Sequence, residues 1–163
     1  MSVKAAISNP QQLGFLLQAE VPASWPPELL DTPALEWTVR WMENPANDRD
    51  YGMYWMVLRR AQSEAPDTHG RILVGAAGFK GPPRDGTVEV GYGVVTEYQR
   101  RGYATETVNA LLSHAFASPN IERVIAETLP GLAPSIGVLE KCGFRFIGDG
   151  SEPGVIRYEI VKR

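Results

Sequence analysis

The second half of the chain changes repeatedly between strand-like and helix-like patterns, and this order limits the fold more than any other feature does. Segments of strand length that are rich in apolar and aromatic residues extend over Tyr51 to Arg60, Arg71 to Phe79, Thr87 to Val95, Ile121 to Leu129, Phe144 to Gly148 and Val155 to Val161. Helical patterns extend from about Gly102 to Ala117 and from about Pro134 to Lys141, with Gly143 as the usual left-handed stop. Strands joined first by loops and then by helices predict a mixed α/β sheet.

The first part of the chain is rich in proline and tryptophan, and it favours two helices. Asn9 followed by Pro10 is a typical start for the first of them. Thr32 is predicted to be the N-cap of the second helix, with Pro33 in its first position. This second helix is expected to end at about Glu43.

Length and composition indicate one globular domain. The chain has 163 residues, of which 44% are hydrophobic and 21% are charged. These values are ordinary for globular proteins, and they exclude wholesale disorder and a coiled coil. We therefore predict a single domain over residues 1–163. The formal net charge of −3 argues against a dedicated nucleic-acid-binding protein, because such proteins usually carry an excess of positive charge.

The content of cysteine and histidine argues against disulfide bonds and bound metal. Cys142 is the only cysteine, so an internal disulfide cannot form. Together with His69 and His114 it does not give the ligand spacing of a zinc site. The segment Met1 to Pro10 lacks the apolar core of a signal peptide, and the chain lacks a run of about 18 uncharged apolar residues. We expect a cytoplasmic protein that binds no metal and does not insert into membranes.

The most informative loop is Gln99 to Ala104, which lies between an apolar strand and an amphipathic helix. A loop at a helix N-terminus offers unpaired N–H groups and a partial positive charge, both of which favour a phosphate group. Gly102 would allow close approach of the backbone, and Arg100 and Arg101 would add charge-assisted contacts. The alternative is a plain turn from strand to helix with two solvated arginines.

Three segments together resemble one enzyme family, the GNAT superfamily of acyl-CoA-dependent N-acetyltransferases. They are Val88 to Tyr92 (VEVGY), Gln99 to Ala104 (QRRGYA) and Ser135 to Phe144 (SIGVLEKCGF), which occur in the family's order. The pattern is similar to the branch that contains the RimJ/RimL-type ribosomal-protein N-acetyltransferases. The resemblance covers Thr87 to Phe144 and implies an acetyl-CoA-dependent enzyme.

The resemblance implies a fold in which two central strands splay apart and hold the pantetheine arm of acetyl-CoA between them. The pyrophosphate is then expected on the amides of Arg100 to Thr105. Backbone groups of Val94 and Val95 are expected to pair with the pantetheine amides. The full set of residues expected to bind acetyl-CoA is Val94, Val95, Gln99, Arg100, Arg101, Gly102, Tyr103, Ala104, Thr105 and Ser135.

Glu89 is the candidate catalytic base and a candidate contact for the amine. Because side chains alternate along a strand, two sets are expected on opposite faces, namely Val88, Val90, Tyr92 and Val94 against Glu89, Gly91, Gly93 and Val95. The two glycines would leave a slot beside Glu89. An ammonium group must lose a proton before it attacks a thioester, so a half-buried carboxylate suits a general base. The family often has such a glutamate at this position. The alternative is an ion pair between Glu89 and a nearby arginine.

The resemblance also implies a group beside the sulfur of acetyl-CoA, because the leaving thiolate must be stabilised or protonated. Many GNAT enzymes have a tyrosine just before the E-K-x-G-F segment, where this sequence has Leu139. RimL-like relatives carry an N-x-x-S pattern, and Ser135 matches its serine. Leu132 replaces the asparagine of that pattern. The alternative for Ser135 is the N-cap of the short helix.

The binding site for the amine that accepts the acetyl group is expected to come from the N-terminal helices and the loop between them. The tryptophans predicted to line an apolar or cation-binding wall there are Trp25, Trp37, Trp41 and Trp55, with core packing as the alternative for the last three. Trp25 lies in a loop beside two prolines, so we expect it to be the hardest to bury. The acceptor is predicted to be a primary amine of a small molecule or of a protein N-terminus.

Two other functions and one assembly are compatible with these residues. A detoxifying or antibiotic-resistance acetyltransferase would differ only in its substrate. A non-catalytic sensor that binds acyl-CoA is suggested by Leu132 and Leu139, which replace polar residues of the family pattern. The closing strands from Phe144 to Val161 could offer an edge for a homodimer.

Overall fold

A computed structural model describes residues 4, 7–60 and 70–163 of the chain. Its longer helices are α1 (Pro10–Leu17), α2 (Thr32–Glu43), α3 (Tyr103–Ala117) and α4 (Ala133–Lys141). The strands are β1 (Met53–Arg59), β2 (Arg71–Phe79), β3 (Thr87–Val94), β4 (Arg123–Thr128), β5 (Arg145–Asp149) and β6 (Ile156–Val161). His69, a candidate that the sequence places in a polar loop, lies outside the described residues.

The described strands form one sheet in the order β1-β2-β3-β4-β6-β5. Neighbouring strands are antiparallel, except that β3 and β4 are parallel. Parallel neighbours need a crossover connection, and α3 provides it between β3 and β4. The predicted mixed α/β fold, with a largely antiparallel sheet flanked by helices, is confirmed.

The capping residues explain where the helices begin and end. Asn9 caps α1 as predicted, since its side chain accepts a hydrogen bond from the N–H of Gln12. For α2 the prediction was wrong by one residue, because Asp31 is the N-cap and Thr32 already belongs to the helix. A carboxylate accepts such a hydrogen bond at least as well as a hydroxyl does. At the end of α4, Gly143 has a φ of +88°, the left-handed stop that the sequence predicted.

Hydrophobic residues on the two faces of the sheet form two separate cores. On one face, Val88 and Val90 of β3 pack in a cluster with Val108 of α3 and Leu139 of α4. On the other face lies a smaller cluster beneath α1 and α2, which contains Leu13, Trp25, Leu35, Leu73, Ala76 and Val95. Val88 and Val95 thus belong to different cores, as the predicted alternation along β3 requires.

The two parallel strands separate at a fork near the middle of the sheet. They pair from Thr87 opposite Arg123 to Val90 opposite Ala126. Beyond this point β3 continues to Val94 without pairing to β4. The predicted splaying of two central strands is therefore present, and it leaves one edge of β3 open at its C-terminal end.

The sheet ends at β5, so only one of the two closing strands is at an edge. The register of β5 shifts between Phe146 and Gly148, and Phe146 and Ile147 are exposed. Bulges and short edge strands generally oppose unwanted pairing. Association of this edge with a second chain stays a prediction.

Candidate active site

A cavity of about 680 Å³ opens at the fork between β3 and β4. Its walls are the end of β3, the loop and first turn of α3, one side of α4, and the segment from Pro27 to Leu29. The predicted cofactor-binding residues that lie in these walls are Val94, Gln99, Arg100, Gly102, Tyr103, Ala104, Thr105 and Ser135. The fold thus brings Ser135 to the same space as a loop that is distant in sequence.

The start of α3 presents backbone donors to this cavity. Gly102 is the N-cap of α3 with a φ of +88°, and no side chain caps the helix. The first N–H groups of a helix have no acceptor within it, and Tyr103, Ala104 and Thr105 all line the cavity. A Cβ added at Gly102 would meet no heavy atom within 4 Å. This end of the cavity is therefore open, rich in donors and suited to a phosphate.

The two arginines of the loop differ in their surroundings. Arg100 lines the cavity. Arg101 is not among the lining residues, and its Nη2 donates to the carbonyl of Glu97 at 3.0 Å. The guanidinium carbon of Arg101 also lies 5.0 Å from the ring centre of Tyr98, which is a cation–π distance. The predicted contact of Arg101 with the cofactor therefore does not fit its observed position.

Val94 and Val95 also differ in what they can offer a ligand. The N–H of Val95 donates to the carbonyl of Val74 and its carbonyl accepts from the N–H of Tyr98, both at 2.9 Å. Because the chain itself uses both groups, Val95 does not fit the predicted pairing with pantetheine. Backbone groups alternate in direction along a strand, so those of Val94 face the open edge, where its carbonyl accepts from Gln99 Nε2 at 3.0 Å.

Glu89 lies beside the fork rather than in the wall of the cavity. Its Oε1 accepts from Lys80 Nζ at 2.5 Å. A Cβ added at Gly91 would lie 3.4 Å from Lys80 Cε, so Lys80 crosses the slot that this glycine leaves. The side chain of Glu89 is 23% exposed. The alternative ion pair is therefore present, with a lysine in place of the expected arginine, and part of the carboxylate remains accessible.

Ser135 projects from the first turn of α4 and does not cap the helix. Leu132 is the N-cap, and no side chain accepts a hydrogen bond there, so the capping alternative for Ser135 is wrong. The hydroxyl of Tyr92 donates to the carbonyl of Ser135 at 2.9 Å and lies 3.2 Å from its Oγ. Burial raises the pKa of Tyr92 to about 12. Tyr92 therefore stays protonated and can act as a donor at neutral pH.

Apolar residues occupy the two positions where the resemblance expects polar groups. Leu139 is fully buried in the main core, and Leu132 lies in the wall of the cavity. The nearby thiol of Cys142 is buried, and burial raises its pKa. Its Sγ lies 3.7 Å from the carbonyl of Thr105. Leu132 thus gives the cavity wall an apolar side chain, while Leu139 and Cys142 lie in the core behind it. A neutral thiol is also a poor nucleophile.

A family model described as an acetyltransferase (GNAT) domain matches residues 11–145. The chain belongs to the GNAT acetyltransferase family. The six-stranded sheet with a fork between its parallel strands agrees with this assignment. The prediction of a GNAT domain is thus confirmed. The narrower assignment to the RimJ/RimL-like branch stays a prediction.

Similar proteins share part of the chain or the fold. Over 59 residues the chain is 39% identical to the uncharacterized N-acetyltransferase YnaD of Bacillus subtilis, which covers 36% of this chain and 35% of that protein. A GNAT-family acetyltransferase structure from Bacillus anthracis is 32% identical, with a TM-score of 0.50 and coverage of 55% of this chain and 59% of that one. The chain spans about half or less of the length of the curated relatives it matches.

One further structure is similar over nearly the whole GNAT domain. The microcin C7 self-immunity acetyltransferase MccE, solved in complex with acetyl-CoA and AMP, has a TM-score of 0.58 and covers 98% of this chain and 88% of that one. The sequence identity is 16%. This likeness concerns the fold.

The tryptophans that the sequence assigns to the acceptor wall do not all lie together. Trp25 is only 8% exposed, and its ring lies 5.8 Å from that of Trp55 in the smaller core. The expectation that Trp25 is hard to bury was wrong, because the loop folds back onto the sheet. Trp37 and Trp41 stack on each other with ring centres 6.3 Å apart, and neither lines the cavity.

Several residues of the cavity wall were missed from the sequence, among them Tyr92 and Lys141. Tyr92 was treated only as part of the strand pattern, although alternation already placed it on the face of α4. Lys141 lines the cavity with Gly137 and Val138. A spacing of three to four residues places them on one side of α4, and that spacing could have indicated Lys141 as a second positive charge in the site.

Charged side chains cover the face of β4 and β6 that the N-terminal helices leave open. Arg157 donates to Glu127 Oε1 through Nε at 2.8 Å and Nη2 at 2.6 Å. Arg145 donates to Glu159 Oε1 in the same manner, at 3.0 Å and 2.5 Å. Both carboxylates are largely buried, so each is a structural ion pair rather than a free charge.

Two features are absent from residues 4, 7–60 and 70–163. Within these ranges no cluster of three or more potential metal ligands is present. No helix there combines the length and the apolar composition needed to span a bilayer.

Proposed function

We propose that the chain is an acetyl-CoA-dependent N-acetyltransferase that acetylates a primary amine of a small molecule or of a protein N-terminus. The observation that carries the proposal is the cavity of about 680 Å³, where the start of α3 and the open edge of β3 face the same space. We also propose that residues 1–163 form one catalytic domain, and that this domain belongs to the RimJ/RimL-like branch. A cytoplasmic location is part of the proposal, and the unpaired cysteine supports it.

The residues of the cavity fit the chemical groups of acetyl-CoA. The amides from Gly102 to Thr105 suit the pyrophosphate, and Arg100 and Lys141 in the same walls add positive charge. The open backbone edge of Tyr92 and Val94 suits the amides of the pantetheine arm, as an added strand would. Bound acetyl-CoA supplies an activated acetyl thioester. The related fold of MccE, which holds acetyl-CoA, supports this fit.

Glu89 is the proposed base for direct transfer within a ternary complex. The amine nitrogen forms a bond to the thioester carbonyl carbon, the C–S bond breaks, and its electron pair stays on sulfur. Glu89 accepts the proton that the nitrogen loses, directly or through water. Lys80 holds Oε1 of this carboxylate beside the fork. Ser135, which lies in the cavity wall, is the proposed donor to the leaving sulfur.

The acceptor is proposed to approach on the face of the sheet that carries Glu89. A Cβ added at Gly81, the residue directly after Lys80, would lie 3.7 Å from Trp41 Nε1. Trp37 stacks on Trp41 and is 41% exposed. These two rings, without the buried Trp25, are the proposed aromatic contacts for an acceptor.

The first test is a thermal-shift titration with acetyl-CoA. Acetyl-CoA at about 100 times its Kd is expected to stabilise the wild type by about 2.7 kcal/mol. Gly102→Val puts a branched side chain into a left-handed residue at the cavity wall, so this stabilisation should be lost. Gly154→Val is the matched control, because Gly154 also has a positive φ (+82°) and open space but lies outside the cavity. Its intrinsic stability should fall similarly, with acetyl-CoA binding retained.

Thiol release in the presence of amines then separates the candidate functions. Turnover with small amines or peptide N-termini is the expected result. Turnover confined to antibiotics or polyamines would identify a detoxifying enzyme. Binding without turnover on any amine would identify the sensor that Leu132 and Leu139 suggest. No stabilisation by millimolar acetyl-CoA would contradict the whole proposal.

A further inference from the structure

Two hydroxyl groups from different elements of the fold meet in the wall of the cavity. Tyr92 comes from the open end of β3, and Ser135 comes from the first turn of α4. Their oxygens are 3.2 Å apart, and both residues line the cavity. Neither hydroxyl is needed for packing alone, since a phenylalanine and an alanine would fill nearly the same volume. The pair therefore calls for a chemical explanation.

The hydrogen bonds restrict how the two hydroxyls can act. A tyrosine hydroxyl has one hydrogen, and that of Tyr92 is directed to the carbonyl of Ser135 at 2.9 Å. The oxygen of Tyr92 can then accept from Ser135 Oγ while the site is at rest. When a negative charge develops nearby, Ser135 can turn its hydrogen toward that charge, and Tyr92 can donate to Ser135 Oγ instead. Such a chain of hydrogen bonds strengthens the terminal donor.

We propose that Tyr92 is the positioning residue that makes Ser135 a hydrogen-bond donor to the sulfur of the leaving coenzyme A thiolate. The inference rests on the proposed function. When the C–S bond breaks and sulfur keeps the electron pair, Ser135 donates a hydrogen bond to that sulfur. The proton lost by the amine goes to Glu89, and the thiolate takes a proton from solvent on release.

The ionisation of Tyr92 favours stabilisation over proton transfer. Burial raises the pKa of Tyr92 to about 12, whereas an ordinary thiol has a pKa of about 8.5. A thiolate therefore cannot take the proton of Tyr92 to any large extent, but it can accept a hydrogen bond through Ser135. Leu139 fills the helical position where a family tyrosine would stand and is buried in the core. The tyrosine of this site thus comes from β3, and it contacts α4 through Ser135.

The test compares Tyr92→Phe, Ser135→Ala and the double variant. Each single change is expected to lower kcat about tenfold with little change in the KM for acetyl-CoA, because the contact forms only as sulfur becomes charged. The double variant should lose no more kcat than the less active of the two single variants, since both changes break one chain of hydrogen bonds. Tyr54→Phe is the matched control, because the Tyr54 hydroxyl also donates to a backbone carbonyl, that of Asp50, but outside the cavity.

Binding of coenzyme A gives a readout that does not depend on turnover. The preference of the wild type for coenzyme A over desulfo-coenzyme A should rise from pH 7 to pH 9, because the thiol ionises in this range. Tyr92→Phe and Ser135→Ala should lose this rise, and Ser135→Thr, which keeps a hydroxyl, should restore part of it. An unchanged rise in Tyr92→Phe, or additive losses of kcat, would overturn the inference. If neither ligand binds the wild type, the proposed function fails as well.

Discussion

Glu89 and Glu127 lie on the same face of neighbouring strands, but their carboxylates have different surroundings. Glu89 of β3 pairs in register with Ile125, and Glu127 follows two residues later on β4. Lys80, half exposed, is the partner of Glu89. Glu127 is only 7% exposed and accepts from Arg157 and from both the N–H and the hydroxyl of Ser151. One carboxylate is thus held by a flexible, half-exposed side chain, and the other is largely buried among its partners.

The difference in surroundings explains why Glu127 and Glu89 differ in their capacity to act as a base. Burial alone would raise the pKa of Glu127, but the hydrogen bonds from Ser151 and the charge of Arg157 outweigh it and lower the pKa. A Cβ at Gly150 would lie 3.1 Å from Glu127 Oε1, so glycine lets this turn approach the carboxylate. A carboxylate with saturated oxygens is a weak base. Glu89 keeps the accessibility that a base needs.

The largest expected effect is on turnover. Glu89→Gln should lower kcat about 100-fold to 1,000-fold, because the amide cannot accept the amine proton. Acetyl-CoA affinity should change little, since Glu89 is outside the cavity wall. The measurement is initial velocity by thiol release, with Glu127→Gln as the matched control at a temperature well below its unfolding transition. Equal activity losses in the two variants would remove the distinction between the carboxylates.

The next effect is on stability. Arg157→Gln leaves the buried charge of Glu127 with Ser151 as its remaining partner, so the free energy of unfolding should fall by about 2 to 4 kcal/mol. Lys80→Gln removes the partner of a more exposed carboxylate and should cost less than about 1 kcal/mol. Urea unfolding of both variants measures the difference. Similar costs would mean that Glu89 is as tightly enclosed as Glu127.

The smallest effect is the dependence of stability on pH. Because folding lowers the pKa of Glu127 below its usual 4.5, its stabilising contribution is complete above that value and is lost as pH falls through the folded pKa. The urea midpoint of Glu127→Gln should therefore fall less between pH 5 and pH 3 than that of the wild type. Ser151→Ala should lie between the two. Identical acid profiles would argue against the depressed pKa.

Much of the fold could be predicted because local patterns and packing agree. The predicted strands and helices begin and end within two residues of their observed positions. The cap of α2 was misplaced because Asp31 and Thr32 are both good capping residues, and the sequence alone does not decide between them. The burial of Trp25 depends on a loop that folds back over the sheet, which is a tertiary effect.

The candidate site could be located from the sequence, but the partners of its side chains could not. The loop before α3 and Ser135 do reach one cavity. Arg101 contacts the ring of Tyr98, and Glu89 pairs with Lys80. Sequence spacing does not reveal which of these side chains meet. The backbone groups of Val95 already have partners within the chain, because the position of the strand end decides which groups stay open.

The parallel pairing of β3 and β4 also sets how much the chain length can vary around the site. The chain leaves β3 at the fork and must return through α3 to the start of β4. The position of the first turn of α3 is therefore tightly restricted. One residue inserted between Val95 and Gly102 would lengthen this connection and displace the backbone amides of Gln99, Arg100 and Gly102 from the cavity wall. Insertions in the turn between β5 and β6 do not shift any of these amides. Natural or engineered length changes should therefore collect in that outer turn, beyond the contact of Ser151 with Glu127, and avoid the connection before α3.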